Sequence, residues 1–262
     1  MTALPFTVVD AFTDRPFAGN PAAVMLLDAW PDDALLQSIA LEHNLSETAF
    51  AVQVDSEIAD YELRWFTPTV EIAMCGHATL ASGHVLIGER DTVRFATRKA
   101  GVLVVRRDGG GYTLDLPVTR VAPAPDAALL AALGCDGEVF ASVAGAQETS
   151  IILLPDADAV RGCTPDMAAL SACHVMAIVT APGDVADVVS RVFVPAWGVD
   201  EDPVTGSAHA ALTPFWTERL DRDRFTAFQA SVRGGYLTCT LAGERAVLGG
   251  QCVTVMQGEL LL

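Results

Sequence analysis

The sequence predicts an α+β protein of two similar lobes, each a mixed or antiparallel sheet wrapped around one long helix. Three observations carry this expectation. A short passage is written twice: Arg64-Trp65-Phe66-Thr67-Pro68 leads to Gly76-His77-Ala78-Thr79-Leu80-Ala81, and Arg191-Val192-Phe193-Val194-Pro195 leads to Gly206-Ser207-Ala208-His209-Ala210-Ala211. Strand signals run through both halves with one long Ala-rich helix in each, which favours sheets wrapping a helix over a doubly wound parallel sheet. Between the halves, Pro117 to Pro125 holds three prolines and no periodic pattern. It reads as a linker, dividing the chain into lobes at residues 1–118 and 119–262.

In the first half, Phe6 to Phe12 and Ala22 to Leu27 read as strands flanking the Gly19-Asn20-Pro21 turn. Pro31-Asp32-Asp33 opens a helix through Ala40. A strand from Leu45 toward Val54 then finds an antiparallel partner in Tyr61 to Phe66. Cys75 to Ile87 is the Ala-rich helix, followed by strands at Thr92–Ala96, Gly101–Arg107 and Gly111–Leu116, the last two joined by an Asp108-Gly109-Gly110 hairpin turn. The second half gives helices at Asp126–Leu133 and Pro165–Ala172, and strands at Glu138–Val143, Thr149–Leu154, Val175–Thr180 and Val188–Phe193. The second long helix runs from Ser207 to Glu218, before strands at Phe225–Ser231, Tyr236–Leu241 and Arg245–Leu248.

Composition bounds the partners. A chain of 262 residues with 51% hydrophobic residues has ample core for one large or two ordinary domains. Sixteen basic against 33 acidic residues give a net charge of -17, which repels nucleic acid and anionic membranes. The start, from Met1 to Asp10, lacks a basic leader, and no apolar run approaches a membrane span, so a cytoplasmic protein is expected. Cys75, Cys135, Cys163, Cys173, Cys239 and Cys252 form no Cys-x-x-Cys pair, and His43, His84, His174 and His209 lack ligand spacing. Metal is therefore not expected. Neither a Gly-x-Gly-x-x-Gly nor a Walker pattern is present, so no nucleotide cofactor is implied.

The doubled passage itself suggests chemistry. Glycine at a helix start allows close approach of a ligand, and the first free amides of a helix attract carboxylate or phosphate. Each copy can hold one anionic end of a small substrate by short-range contacts. The copies are unequal, because the second has three more residues between its Pro and its Gly.

Five separated motifs resemble one family. They are Val9-Asp10-Ala11-Phe12-Thr13 with Pro16-Phe17-Ala18-Gly19-Asn20-Pro21-Ala22-Ala23-Val24, Asn44-Leu45-Ser46-Glu47-Thr48-Ala49-Phe50, Cys75-Gly76-His77-Ala78-Thr79, Glu201-Asp202-Pro203-Val204-Thr205-Gly206-Ser207-Ala208 and Arg233-Gly234-Gly235-Tyr236-Leu237. In this order they are similar to the PhzF-like phenazine-biosynthesis isomerases, over nearly the whole chain. The resemblance implies the diaminopimelate epimerase-like fold, two pseudo-symmetric lobes with the active site in the cleft between them, a homodimer, and an isomerase without cofactor acting on a small carboxylated substrate.

By the same resemblance Glu47 is the proton shuttle, a carboxylate that removes a proton beside an unsaturated or carbonyl system and returns it elsewhere. His77 and Asp202 are the positioning partners, while Ser207 with Gly206 forms an anion-binding element. Asn20 and Gly76 contribute to substrate binding, and Gly234 and Gly235 lie near the site. Read as isolated residues, Glu47 is a surface carboxylate or a cap, His77 a cap or core histidine, Asp202 a capping carboxylate and Ser207 a helix cap. Cys75 admits two readings: a packed thiol, or a thiolate whose pKa the helix start lowers, opposed by Glu47 or Asp202 in an epimerase or racemase of an amino or hydroxy acid. A catalytically silent binding protein is the reading from another class.

Overall fold

The computed structural model describes residues 3–143 and 148–262. Met1 and Thr2, where the leaderless start was read, lie outside the described residues. The chain forms two compact units, Met1–Asp115 with Gly249–Leu262, and Leu116–Leu248.

The first unit contains β1 (Ala3–Ala11), β2 (Asn20–Leu27), α1 (Asp33–His43), β3 (Glu47–Gln53), β4 (Tyr61–Phe66), β5 (Glu71–Ile72), α2 (Gly76–Leu86), β6 (Thr92–Thr97), β7 (Val102–Asp108) and β8 (Gly111–Pro117). β1 and β2 are antiparallel, β2 and β3 parallel, and β3 and β4 antiparallel. β4 then runs parallel to β6, and β6, β7 and β8 follow antiparallel. Alternation along the inner strands serves two faces. Met25, Leu27, Phe50 and Val52 pack with Leu36, Ile39 and Ala40 of α1. The intervening positions of β2 and β3 include the small Ala22, Ala49 and Ala51, on strands that also pack against α2. α2 is buried from Gly76 to Gly83, a helix enclosed by its own sheet. At Gly83 a Cβ would stand 2.4 Å from the Val105 side chain of β7, so only glycine permits this approach.

The second unit contains β9 (Val121–Pro123), α3 (Ala127–Leu133), β10 (Glu138–Ser142), β11 (Thr149–Leu153), α4 (Ala157–Gly162), α5 (Met167–Ala172), β12 (Met176–Pro182), β13 (Val188–Val194), β14 (Val199–Asp202), α6 (Gly206–Leu220), β15 (Arg224–Gln229), β16 (Gly235–Ala242) and β17 (Arg245–Gly250). β12 shows the two-sided burial most clearly. Ala177, Val179 and Ala181 join the cluster with Leu129, Leu133, Val160 and Leu170 of α3, α4 and α5. Met176 and Thr180, on the alternate positions, meet Ser207 and Trp216 of α6. Pro214 inside α6 removes the amide that would bond the Ala210 carbonyl, and that carbonyl accepts from the Thr119 amide instead.

The pairing order of one unit repeats in the other. β11 and β12 are parallel like β2 and β3, β12 and β13 antiparallel like β3 and β4, and β13 and β15 parallel across α6 like β4 and β6 across α2. Side chains repeat as well. Arg64 grips Glu71 on β5 through two 2.8 Å bonds, and Arg191 grips Glu201 on β14 at 2.7 and 2.9 Å. Each guanidinium lies over the phenylalanine two residues further along its strand, Phe66 at 5.0 Å and Phe193 at 4.9 Å.

The structure departs from the expected elements in several places. The last strand, β18 (Cys252–Leu261), pairs along β1 and so packs with the first unit, whereas the division at 118/119 placed it in the second. The proline-rich linker contains β9, whose residues pair antiparallel with β10 despite Pro123 at the edge. β5, β14 and α4 are further elements that local patterns did not announce, each too short to show a period.

Candidate active site

Three chain segments bring their ends together in the first unit. Asn20 opens β2 and Glu47 opens the parallel β3, so both stand at the same end of neighbouring strands. Cys75 is the N-cap of α2 and His77 its second residue. Gly19 makes the entry to β2 possible: its φ is +64°, and a Cβ there would lie 2.1 Å from the Ala11 carbonyl oxygen.

His77 is the centre of this cluster. It is buried, with Nε2 2.9 Å from Oε2 of Glu47, an ion-pair distance whose angles depart from a well-aligned hydrogen bond. The Asn20 side-chain nitrogen lies 3.1 Å from Nδ1 and Cys75 Sγ 3.5 Å from the same atom. With the amide nitrogen facing the ring, Nδ1 accepts and the ring proton sits on Nε2, toward Glu47. Protonating Nδ1 requires the Asn20 amide to turn its oxygen inward. Burial depresses the imidazolium, but the adjacent Cys75 sulfur and Glu47 carboxylate outweigh it and hold His77 well above its ordinary pKa.

The Cys75 thiol moves the opposite way from the expected thiolate. Burial first, and the adjacent Glu47 charge second, push it up to about 11, with His77 only partly compensating. The helix start does not prevail, because the thiol is enclosed and faces a carboxylate.

In the second unit the expected residues gather at the start of α6. Asp202 ends β14, Thr205 is the N-cap, and Gly206 and Ser207 begin the helix. Thr205 donates its hydroxyl to Asp202 at 2.5 Å. Gln229, fully buried at the end of β15, accepts from the Thr205 amide at 2.8 Å and donates to the Asp202 carbonyl at 2.6 Å. Ser207 Oγ finds the Met176 thioether at 3.8 Å, a weak acceptor. Gly234, at φ +65°, donates its amide to Ser231 Oγ, which donates to the Pro203 carbonyl. This ties the Gly234-Gly235 turn to the residue after Asp202.

Helix starts separate the two repeats from the other helices. α1, α3, α4 and α5 are each capped by an aspartate side chain: Asp32, Asp126, Asp156 and Asp166. Cys75 and Thr205 make no side-chain cap bond. Their carbonyls are bonded instead by equivalent helix residues, Thr79 Oγ1 at 2.5 Å and His209 Nδ1 at 2.8 Å. Thr205 thus occupies the position that Cys75 holds in the first repeat. Sequence reasoning did not single out Thr205 or Gln229. Superposing the repeats points to Thr205, whereas Gln229 carries no local signal.

The pattern of the phenazine biosynthesis-like protein family matches residues 9–258. An uncharacterized isomerase of Pseudomonas aeruginosa is 48% identical over 267 residues, covering 99% of each chain. Another, from Halalkalibacterium halodurans, is 40% identical over the whole of both chains. A solved PhzF-family structure from Enterococcus faecalis superposes with a TM-score of 0.91 at 42% identity, covering 100% of each chain. A probable proline racemase from Agrobacterium radiobacter shares the fold alone, with a TM-score of 0.67 at 12% identity over 99% of this chain and 93% of its own. The repeated lobes, the glutamate-histidine pair and these likenesses converge: the chain belongs to the PhzF family of phenazine biosynthesis-like isomerases, on the diaminopimelate epimerase-like fold.

Proposed function

We propose that this chain is a cofactor-independent isomerase that shifts a proton, and with it a double bond, within a small carboxylated substrate. Glu47 is the acid/base. The observation that carries this reading is the Glu47 carboxylate oxygen held 2.9 Å from a buried imidazole without a well-aligned hydrogen bond to it, so that its lone pair keeps capacity for a proton. In this reading Glu47 takes a proton from a carbon activated by a neighbouring unsaturated or carbonyl group, and electrons move into the conjugated system. The same carboxyl group then returns the proton to another carbon on the same face. His77 donates to the substrate and polarises it, while the Gly76 and Gly206 amides and Ser207 hold carboxylate oxygens. Asp202 accepts from a substrate hydroxyl or amine.

The epimerase reading needs a second base opposite the first. Cys75, pushed up to about 11, is a poor one, and the second repeat carries the hydroxyl of Thr205 at the equivalent helix start. Solvent deuterium exchange into a substrate, with Glu47→Gln as the comparison, tests the proposal. Undiminished exchange by the variant sinks it, and failure of the wild-type protein to exchange any candidate ligand revives the silent binding protein.

A further inference from the structure

We propose that Cys75 and His77, supported by Asn20 and Glu47, form a binding site for one thiophilic divalent cation of the zinc class. It uses residues of the proposed reaction but does not depend on that reading, and an ion bound there withdraws His77 and Glu47 from it.

The distances fit without rebuilding. In a tetrahedral zinc site, a metal–sulfur bond of about 2.3 Å and a metal–nitrogen bond of about 2.0 Å place the two ligand atoms roughly 3.5 Å apart. Cys75 Sγ and His77 Nδ1 stand 3.5 Å apart. The other ring nitrogen faces Glu47 at 2.9 Å, so the carboxylate backs the imidazole on the side away from the ion. That is the carboxylate–histidine–metal arrangement, which orients the ring and raises its basicity as a ligand. The Asn20 amide lies 3.1 Å from Nδ1, and with its oxygen turned inward it supplies a third, weaker donor. One ligand atom from each of Glu47, Cys75 and His77 falls within 4.8 Å of the others.

Charge and softness agree. Binding converts the Cys75 thiol to a thiolate and releases its proton to solvent, and thiolate plus Glu47 carboxylate then balance a dication in this enclosed place. The positive end of α2 works against a cation, and two adjacent anions outweigh it. A thiolate with an imidazole selects zinc, cadmium or cobalt over magnesium or calcium. No spacing announces the site, because Glu47 and Asn20 arrive from separate strands.

Cobalt(II) is the probe. The full-length protein, stripped with chelator and kept under reducing, oxygen-free conditions, is titrated with cobalt while its near-ultraviolet absorbance is recorded. A thiolate-to-cobalt charge-transfer band saturating at one ion per chain, displaced by zinc and unaffected by excess magnesium, is expected. Cys75→Ser should abolish the band, and His77→Gln should weaken cobalt binding at least tenfold, with circular dichroism confirming that both variants fold. If Cys75→Ser fails to fold, Asn20→Ala and the ability of zinc to protect Cys75 from a maleimide test the site in its place. Absence of the band in the wild-type protein, or its persistence in Cys75→Ser, overturns the proposal. Because the readout is binding, absence of proton exchange in the metal-free protein with cobalt binding intact counts against the reaction alone.

Discussion

Thr205 donates its hydroxyl to the Asp202 carboxylate across 2.5 Å, in the second copy of the doubled passage and at the N-cap position filled by Cys75 in the first. The copies therefore differ most where they begin their helices. One begins with a thiol beside a histidine and a glutamate, the other with a hydroxyl committed to an aspartate.

Gln229 fixes that second arrangement by bonding the Thr205 amide and the Asp202 carbonyl from one buried side chain. Gln229→Leu leaves both groups without this partner, at about 1–3 kcal/mol for each buried group left unsatisfied. The expected result is a clear fall in unfolding free energy in urea. Under the proposed function, KM also rises more than kcat falls, because Asp202 loses its position while Glu47 is untouched. A variant as stable as the wild-type protein would remove Gln229 from this role.

The Arg191–Glu201 pair joins β13 to β14, and the same guanidinium donates to the Cys163 carbonyl at 2.7 Å. Both partners are mostly buried, with side-chain exposures of 15% and 17%. Arg191→Met leaves the carboxylate without this partner and should destabilise the protein by about 3–5 kcal/mol, the range for breaking a largely buried ion pair. Denaturant melts check this, and a change below 1 kcal/mol would show that solvent already screens the pair.

His209 gives the pH dependence a sign. It is fully buried, and burial lowers its pKa to about 4, only partly offset by the bond to the Thr205 carbonyl. The unfolded chain takes up this proton near 6.5, so the contribution to stability is complete above that pH and is lost as pH falls toward 4. The full loss approaches about 3 kcal/mol for a shift of this size. In His209→Asn the component is absent, so the stability gap between wild type and variant should narrow from pH 7 to pH 4. Parallel curves would contradict the assignment.

Much of this was legible in the chain. Strand and helix types followed from periodicity, and the Arg-x-Phe passage marked equivalent strands whose arginines make equivalent ion pairs. Glu47, His77 and Asn20, named from motifs far apart in sequence, meet within hydrogen-bonding distances. Other features depended on tertiary placement. β18 belongs with the first unit because its partner is β1, at the opposite end of the chain. Gln229 looks like any strand-end residue until Asp202 and Thr205 arrive beside it. The direction of the Cys75 shift required knowing that the thiol is buried against Glu47, which outweighs the helix start.

The central claim is that Glu47 carries the proton. The direct measurement is the rate of deuterium incorporation from heavy water into a substrate, for wild type and Glu47→Gln, with substrate binding followed in parallel by calorimetry. A loss of about 10²–10⁴-fold in exchange with binding retained is the expected result, the range a positioned general acid–base contributes. Exchange at the wild-type rate in Glu47→Gln would contradict the account.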